Sequence, residues 1–394
     1  MRCHARIGIP QALMIGQLAW SGGRQRGRPK AGFAPGWPWQ GPAADAQPPI
    51  NVGLLVPTSG AAGIWGPSCI ACARLAADEL NAEGGVRGRE VRLRVVDGAS
   101  ENVALAAQVD ELLHAGEIDA VVGMHISSVR NALAPVLGGE IPYVYTPLYE
   151  GGERHPGVFT LGETPGNQLV PALAALSEGR SPRRWALVGN DYVWPRESHR
   201  WARGVLGRLG CEVVHEALLP LGCDDFEAEI AALAASGAQA VLLSLIGQDA
   251  VAFNRAFAAQ GLSGAIRRLS CAIEENELLA IGADCTDELY VAGSYFASLP
   301  TDANLAFRER YHATCGPRAP TLNALGQSTY EGVHFLGAML VRGAHPMAPG
   351  ETLHYRSARG AVWRGNDRPS CPVYLARADG HALQVMRTLS TVDH

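Results

Sequence analysis

No stretch of the 394-residue chain approaches the ~20 unbroken apolar residues that a bilayer-spanning helix needs. Charge of one sign is also scarce. The 38 acidic and 33 basic side chains leave a formal net charge of −5, which argues against a basic protein that grips nucleic-acid phosphates. The cysteines, nine in number and spread from Cys3 to Cys371, lack the even count and spacing of a small disulfide scaffold, so at least one thiol is free or pairs outside the chain. Catalytic signatures are missing too. There is no Gly-x-Ser-x-Gly elbow, no His-Glu-x-x-His, no phosphate-cradling Gly-x-x-x-x-Gly-Lys-Ser/Thr loop and no Gly-x-Gly-x-x-Gly after a strand. One Cys-x-x-C pair, Cys69 and Cys72, finds no second pair or histidine set to complete a metal site, and it extends a helical apolar stripe, so it reads as small core residues.

What the chain does have is length and apolar content. Its 394 residues exceed what one core serves well, and 47% hydrophobic residues with a mean hydropathy of +0.02 can bury a sizeable interior. Residues 1–48 stand apart, rich in Gly, Pro, Arg and Trp and without helix or strand period, and read as a disordered or atypical extension. Arg2 and Arg6 before an apolar patch have the charge order of a signal peptide, but Pro10, Gln11 and Gln17 dilute that patch.

From Pro49 the chain alternates aliphatic runs with amphipathic segments. Ile50–Val56, Val91–Val96 and Ala120–Val122 read as buried parallel strands, with helical stripes through Ile70, Ala73, Ala77 and Leu80 and through Leu105, Val109 and Leu112. The same grammar restarts after Thr164-Pro165-Gly166. The expected fold is therefore α/β: two similar lobes, each a mostly parallel sheet flanked by helices. Lobe 1 is expected over 49–164 plus 296–349, and lobe 2 over 165–295 plus 350–394. Leu161 to Thr164 and Tyr295 to Ser298 are the expected hinge crossings.

Open parallel sheets take ligands beyond the carboxyl ends of their strands. At those ends stand Trp65, His125, Ser127, Tyr145, Tyr149, Tyr192 and Trp194 among glycines and hydroxyls. Turn chemistry explains the glycines and serines, but turns have no need of Tyr and Trp, so the set points to a pocket for a small, partly polar ligand. An alternative is a small-molecule enzyme in which His125, Asp191 and Glu275 converge as acid and base.

The stretch Gly189-Asn190-Asp191-Tyr192-Val193-Trp194-Pro195-Arg196 resembles a segment of the type I periplasmic binding proteins, specifically the amide- and urea-binding branch. Tyr149-Glu150-Gly151, Thr164-Pro165-Gly166-Asn167-Gln168 and Leu80-Asn81-Ala82-Glu83-Gly84-Gly85 support it, and the likeness runs from about Asn51 to about Leu383. The resemblance implies two lobes joined by crossover hinge strands and no catalysis. It also implies a ligand site with Trp65 as an aromatic lid, Ser127 as a ligand-bonding hydroxyl, and Tyr145 and Thr146 on the first-lobe loop. Tyr192 and Trp194 supply second-lobe aromatics, and Glu274 or Glu275, of which Glu275 is favoured, supplies an acidic partner for ligand nitrogen. The implied ligand is a small amide, urea or branched-chain amino acid, with no cofactor and no metal. The implied partner is an ABC permease if the protein is periplasmic, or a regulatory protein if it is a cytoplasmic amide sensor.

Overall fold

The computed structural model describes residues 47–179, 182–343, 351–364 and 368–389. The expectation for the N-terminal extension falls almost wholly outside these. Its last residue, Pro48, is held at its carbonyl by the Arg89 guanidinium at 2.7 Å.

The first half runs β1 (Ile50–Val56), α1 (Gly66–Ala82), β2 (Val91–Asp97), α2 (Asn102–His114), β3 (Ala120–Gly123), α3 (Ser127–Leu137), β4 (Tyr143–Tyr145) and β5 (Val158–Thr160). Its five strands form one parallel sheet in the order β2-β1-β3-β4-β5. Next come α4 (Leu169–Leu176), β6 (Arg184–Asn190), α5 (Val193–Arg208), β7 (Glu212–Leu219), α6 (Glu227–Ala235), β8 (Ala240–Ser244), α7 (Gly247–Ala259), β9 (Arg267–Ser270), α8 (Glu275–Ile281) and β10 (Leu289–Gly293). The chain closes with α9 (Asp302–Cys315), α10 (Ala324–Arg342), β11 (Thr352–Leu353), β12 (Val362–Arg364), β13 (Arg368–Ser370), β14 (Val373–Asp379) and β15 (Ala382–Leu389). The second sheet has the order β15-β14-β10-β9-β8-β6-β7, parallel except where β14 and β15 join antiparallel. Central strands such as β8 are buried at every residue, which is why they read as unbroken aliphatic runs rather than as alternation.

Although α9 and α10 follow β10 of the second sheet in sequence, α10 returns to cover the first. Its glycines make this possible. A Cβ at Gly332 would stand 2.4 Å from the Thr146 methyl, and one at Gly326 would stand 3.2 Å from Cys72 Sγ on α1. Cys69 and Cys72 are fully buried in this α1–α10 contact, and burial pushes the Cys69 thiol up to about 12, so both act as core residues.

One boundary differs from the sequence reading. Residues 350–394 were expected with the second lobe, but only β14 and β15 extend the second sheet. The small β11-β12-β13 sheet packs on the first-lobe side, where the Trp363 ring lies 5.0 Å from Phe335 of α10 and 6.2 Å from Phe159 of β5. Tyr355 donates its hydroxyl to Glu331 of α10 at 3.0 Å. The strands of this sheet have two or three residues each, too short for a period to show.

Candidate functional site

The strand ends of the two sheets face each other across a cavity of about 360 Å³ of empty space, partly open to solvent. From the first lobe, the turn after β1 contributes Trp65, 5% exposed, the β3 end contributes His125, Ile126 and Ser127, and the β4 end contributes Tyr145, Pro147 and Leu148. From the second, β6 contributes Tyr192 and Trp194, β8 contributes Ile246, and β9 contributes Ala272 and Glu274. The Tyr192 and Trp194 rings lie 6.4 Å apart.

Four helices begin at this cavity, because the residue that ends each loop and opens the helix also lines it: Ile126 for α3, Tyr192 for α5, Ile246 for α7 and Glu274 for α8. Ile126, Tyr192 and Ile246 make no side-chain cap, so the N-termini of α3 and α5 keep unspent backbone N–H groups and their positive dipole ends at the cavity, while at α7 the Gln248 N–H is taken by Ala61 O at 2.9 Å. That is an environment for a carbonyl or carboxylate oxygen. Ser127, the first residue of α3, adds a hydroxyl. The Tyr145 hydroxyl donates to the His125 carbonyl at 2.7 Å, so its 3.4 Å contact with Ser127 Oγ leaves the serine donor lightly engaged.

The opposite character comes from Glu274. Its carboxylate accepts from Ala324 N at 2.8 Å and takes part in a reciprocal cap with Glu277, whose Oε2 accepts from Glu274 N at 3.1 Å. Burial pushes Glu274 well above the ordinary carboxylate range, and the neighbouring Glu275 and Glu277 add to the shift. Across the cleft the Trp65 indole donates to Glu277 Oε1, and Asn276 Nδ2 donates to Ile64 O at 3.0 Å. The lobes are therefore closed on each other.

Of the seven residues expected at the site, Trp65, Ser127, Tyr145, Tyr192 and Trp194 meet in this one cavity. Two do not. Glu275 lies one position further along α8, which rotates its side chain about 100° away from the cavity, and its Oε1 accepts from Ala297 N at 2.7 Å. Glu274 takes the wall position instead. Thr146 is fully buried, directs its hydroxyl to Gly123 O at 3.4 Å and meets α10, not this cavity. Ile126, Ile246, Ala272 and Leu325 line the cavity without having been among the expected ligand-binding residues. The first two could have been found as the residues just before helical starts at strand ends.

The acid–base alternative fails on geometry. Burial lowers His125 to about 4, and its ring is spent, with Nδ1 3.2 Å from Ile126 O and Nε2 accepting from Tyr143 OH at 2.9 Å. Asp191 is exposed and pairs with Arg196, and Glu275 faces the hinge, so the three do not converge. No group of three or more metal-ligating side chains occurs among the described residues.

Comparison with known proteins fits this architecture. An amino acid binding protein of Pseudomonas aeruginosa is 26% identical over 223 residues, covering 54% of this chain and 58% of its own. The chain spans a little over half the length of the curated relatives it matches. The solute binding protein of an ABC transporter from Rhodopseudomonas palustris HaA2, solved with p-hydroxybenzoic acid, superposes with a TM-score of 0.78 at 21% identity, over 87% of this chain and 97% of its own. The branched-chain amino acid transporter substrate binding protein LivJ of Streptococcus pneumoniae, solved with isoleucine, gives a TM-score of 0.75 at 17% identity, over 86% and 99%. The family model for periplasmic binding proteins matches residues 49–382, and the chain belongs to that family.

Proposed function

We propose that this protein is the non-catalytic solute-binding component of an ABC importer, acting outside the cytoplasmic membrane, and that it closes on a small amide, urea or amino acid. The observation that carries the reading is the pairing of opposite chemistries in one interlobe cavity. Ser127 and the uncapped start of α3 offer donors from the first lobe, and the Glu274 carboxyl offers an acceptor from the second. A solute with a carbonyl or carboxylate oxygen at one end and N–H groups at the other satisfies both, while Trp65, Tyr145, Tyr192 and Trp194 cover its body. The similarity to binders of amino acids supports the nitrogen-bearing class.

Titration calorimetry with acetamide, urea, leucine and 4-hydroxybenzoate tests the reading. Ser127→Ala is expected to weaken the bound solute by about 1–3 kcal/mol, roughly 5- to 150-fold. Glu274→Gln should cost an ammonium-bearing solute more than a neutral amide, since an ammonium can draw the buried Glu274 carboxyl into its ionised form whereas glutamine cannot ionise. Glu275→Gln should change neither by direct contact. Tighter binding of 4-hydroxybenzoate, whose carboxylate and phenol present the same two ends without nitrogen, would overturn the nitrogenous assignment.

A further inference from the structure

Behind the cavity just described lies a second, of about 430 Å³ of empty space, set deeper toward the hinge. Pro147, Leu148, Glu274 and Leu325 are walls of both. Neighbouring residues divide between them. Tyr145 faces the outer cavity and Thr146 the inner; Ala272 faces the outer and Ile273 the inner.

The inner chamber has a one-sided hydrogen-bonding character. Arg359, 7% exposed, lines it but has no donor to offer. Its Nε donates to Glu331, Nη1 to Ser294 Oγ and Glu163, and Nη2 to Leu161 O and Glu331. The Gln168 amide N–H groups serve Cys271 O at 3.2 Å and Ala292 O at 2.8 Å. The Ser328 hydroxyl serves Leu325 O at 2.9 Å, and Gln327 Nε2 donates to Glu331 at 2.6 Å. Left over, besides the second N–H of Gln327, are acceptors. Gln168 Oε1, Gln327 Oε1 and Glu163 Oε2 have no protein partner, yet they are not among the sealed, unpartnered side-chain atoms. Because the two glutamines are only 3% and 1% exposed, the open space their oxygens meet is the chamber they line. Buried acceptors of this kind need donors from ordered water or from a bound solute that displaces it.

We propose that the binding cavity continues past Leu148 and Glu274 into this chamber, which takes the hydrogen-bond-donating tail of a longer solute. The tail carries an amine, hydroxyl or primary amide beyond the head group that Ser127 and Glu274 hold. This rests on the reading of the outer cavity as the solute site and narrows its substrate class from the smallest amides to chain-extended ones.

Calorimetry on the intact protein with matched probes tests it. The probes are leucine, norleucine and lysine, and acetamide, pentanamide and 5-aminopentanamide. In at least one series the donor-tailed probe should bind about tenfold or more tighter than its apolar twin. Ser328→Leu, which fills the inner chamber only, should erase that preference and leave leucine or acetamide within about twofold of the parent. Gln327→Met keeps length, removes an acceptor and gives up the Nε2 bond to Glu331, which still accepts from Arg359 and Tyr355, so it should shrink the preference and leave a folded protein, which settles the matter should the leucine variant misfold. Equal affinity for the twins in the parent, or short and long probes weakened alike by Ser328→Leu while Ser127→Ala still weakens the short ones, would overturn the inner subsite alone. Absence of binding by every probe would overturn both readings.

Discussion

The Trp65 indole, in the turn after β1, donates to the Glu277 carboxylate in the first turn of α8, so the residue that covers the cavity on one lobe is latched by a buried acid on the other. Glu277 is fully buried and does not line the cavity. Its contribution is to hold the lid rather than to touch the solute.

Trp65→Phe keeps an aromatic cover and removes the donor. Glu277 then loses a partner only in the closed state, so solute affinity is expected to fall by about 1–3 kcal/mol, roughly 5- to 150-fold. The melting temperature of the solute-free protein should move little. Calorimetry and thermal unfolding of the same variant separate the two effects.

The first turn of α8 should also make stability depend on pH. Burial raises Glu275 and Glu277 to about 7, and burial with the neighbouring acids raises Glu274 well above the ordinary carboxylate range. Groups facing them are Glu163, Cys69, Tyr295 and Arg308, of which only Arg308 is cationic. For acids raised above an ordinary value of 4.5, the stabilisation held by the neutral form is complete below that value and is lost as pH rises toward 7. The melting temperature should therefore fall between about pH 5 and pH 7.5. Glu277→Gln, which stays neutral and still accepts from Trp65, should fall less over the same interval. A variant as pH-sensitive as the parent would show that this carboxyl is solvated.

How far the site was legible follows from the kind of signal each part leaves. Parallel strands buried on both faces leave aliphatic runs, and their ends can be located to a residue or two; the aromatics Trp65, Tyr145, Tyr192 and Trp194 stood out there, as did Tyr149, which does not line the cavity, while Ser127 was singled out by the family resemblance. The choice between Glu274 and Glu275 turned on one position at a helix start, where a single step rotates the side chain from cavity to hinge, and composition carries no such phase. The Glu274–Glu277 reciprocal cap was the available clue, an acid followed three residues later by another just before an apolar pair. Arg359 left no local trace. Its partners Leu161, Glu163, Ser294 and Glu331 come from three distant segments.

Those partners make Arg359 the clasp of the hinge. It joins the crossing near Leu161 to Glu163, the crossing at Ser294 and helix α10, with its side chain 2% exposed and that of Glu331 fully buried. Arg359→Met would leave the Glu331 carboxylate buried without its cation. The expected cost is about 3–5 kcal/mol in denaturant unfolding, as for one-sided loss of a buried pair. Adding Glu331→Gln should recover part of it, since the stranded charge is then gone, and a double variant as unstable as the sum of the singles would argue that the two act independently.

Gly247 opens α7 with φ +53°, and a Cβ built there would stand 2.1 Å from Ala61 O of the opposite lobe. Beside it, Gln248 N donates to the same carbonyl at 2.9 Å. Only a residue without a side chain lets the second-lobe helix meet the first-lobe loop this closely. Gly247→Ala carries a left-handed backbone cost of roughly 1–2 kcal/mol in any state, but the clash with Ala61 exists only when the lobes are shut. The variant should therefore fold and remain open. Saturating solute is expected to shrink the radius of gyration of the parent in solution scattering and to leave that of Gly247→Ala unchanged, with affinity reduced by well over tenfold. Normal contraction in the variant would mean that the loop carrying Ala61 yields, and that the glycine serves the turn and not the closure.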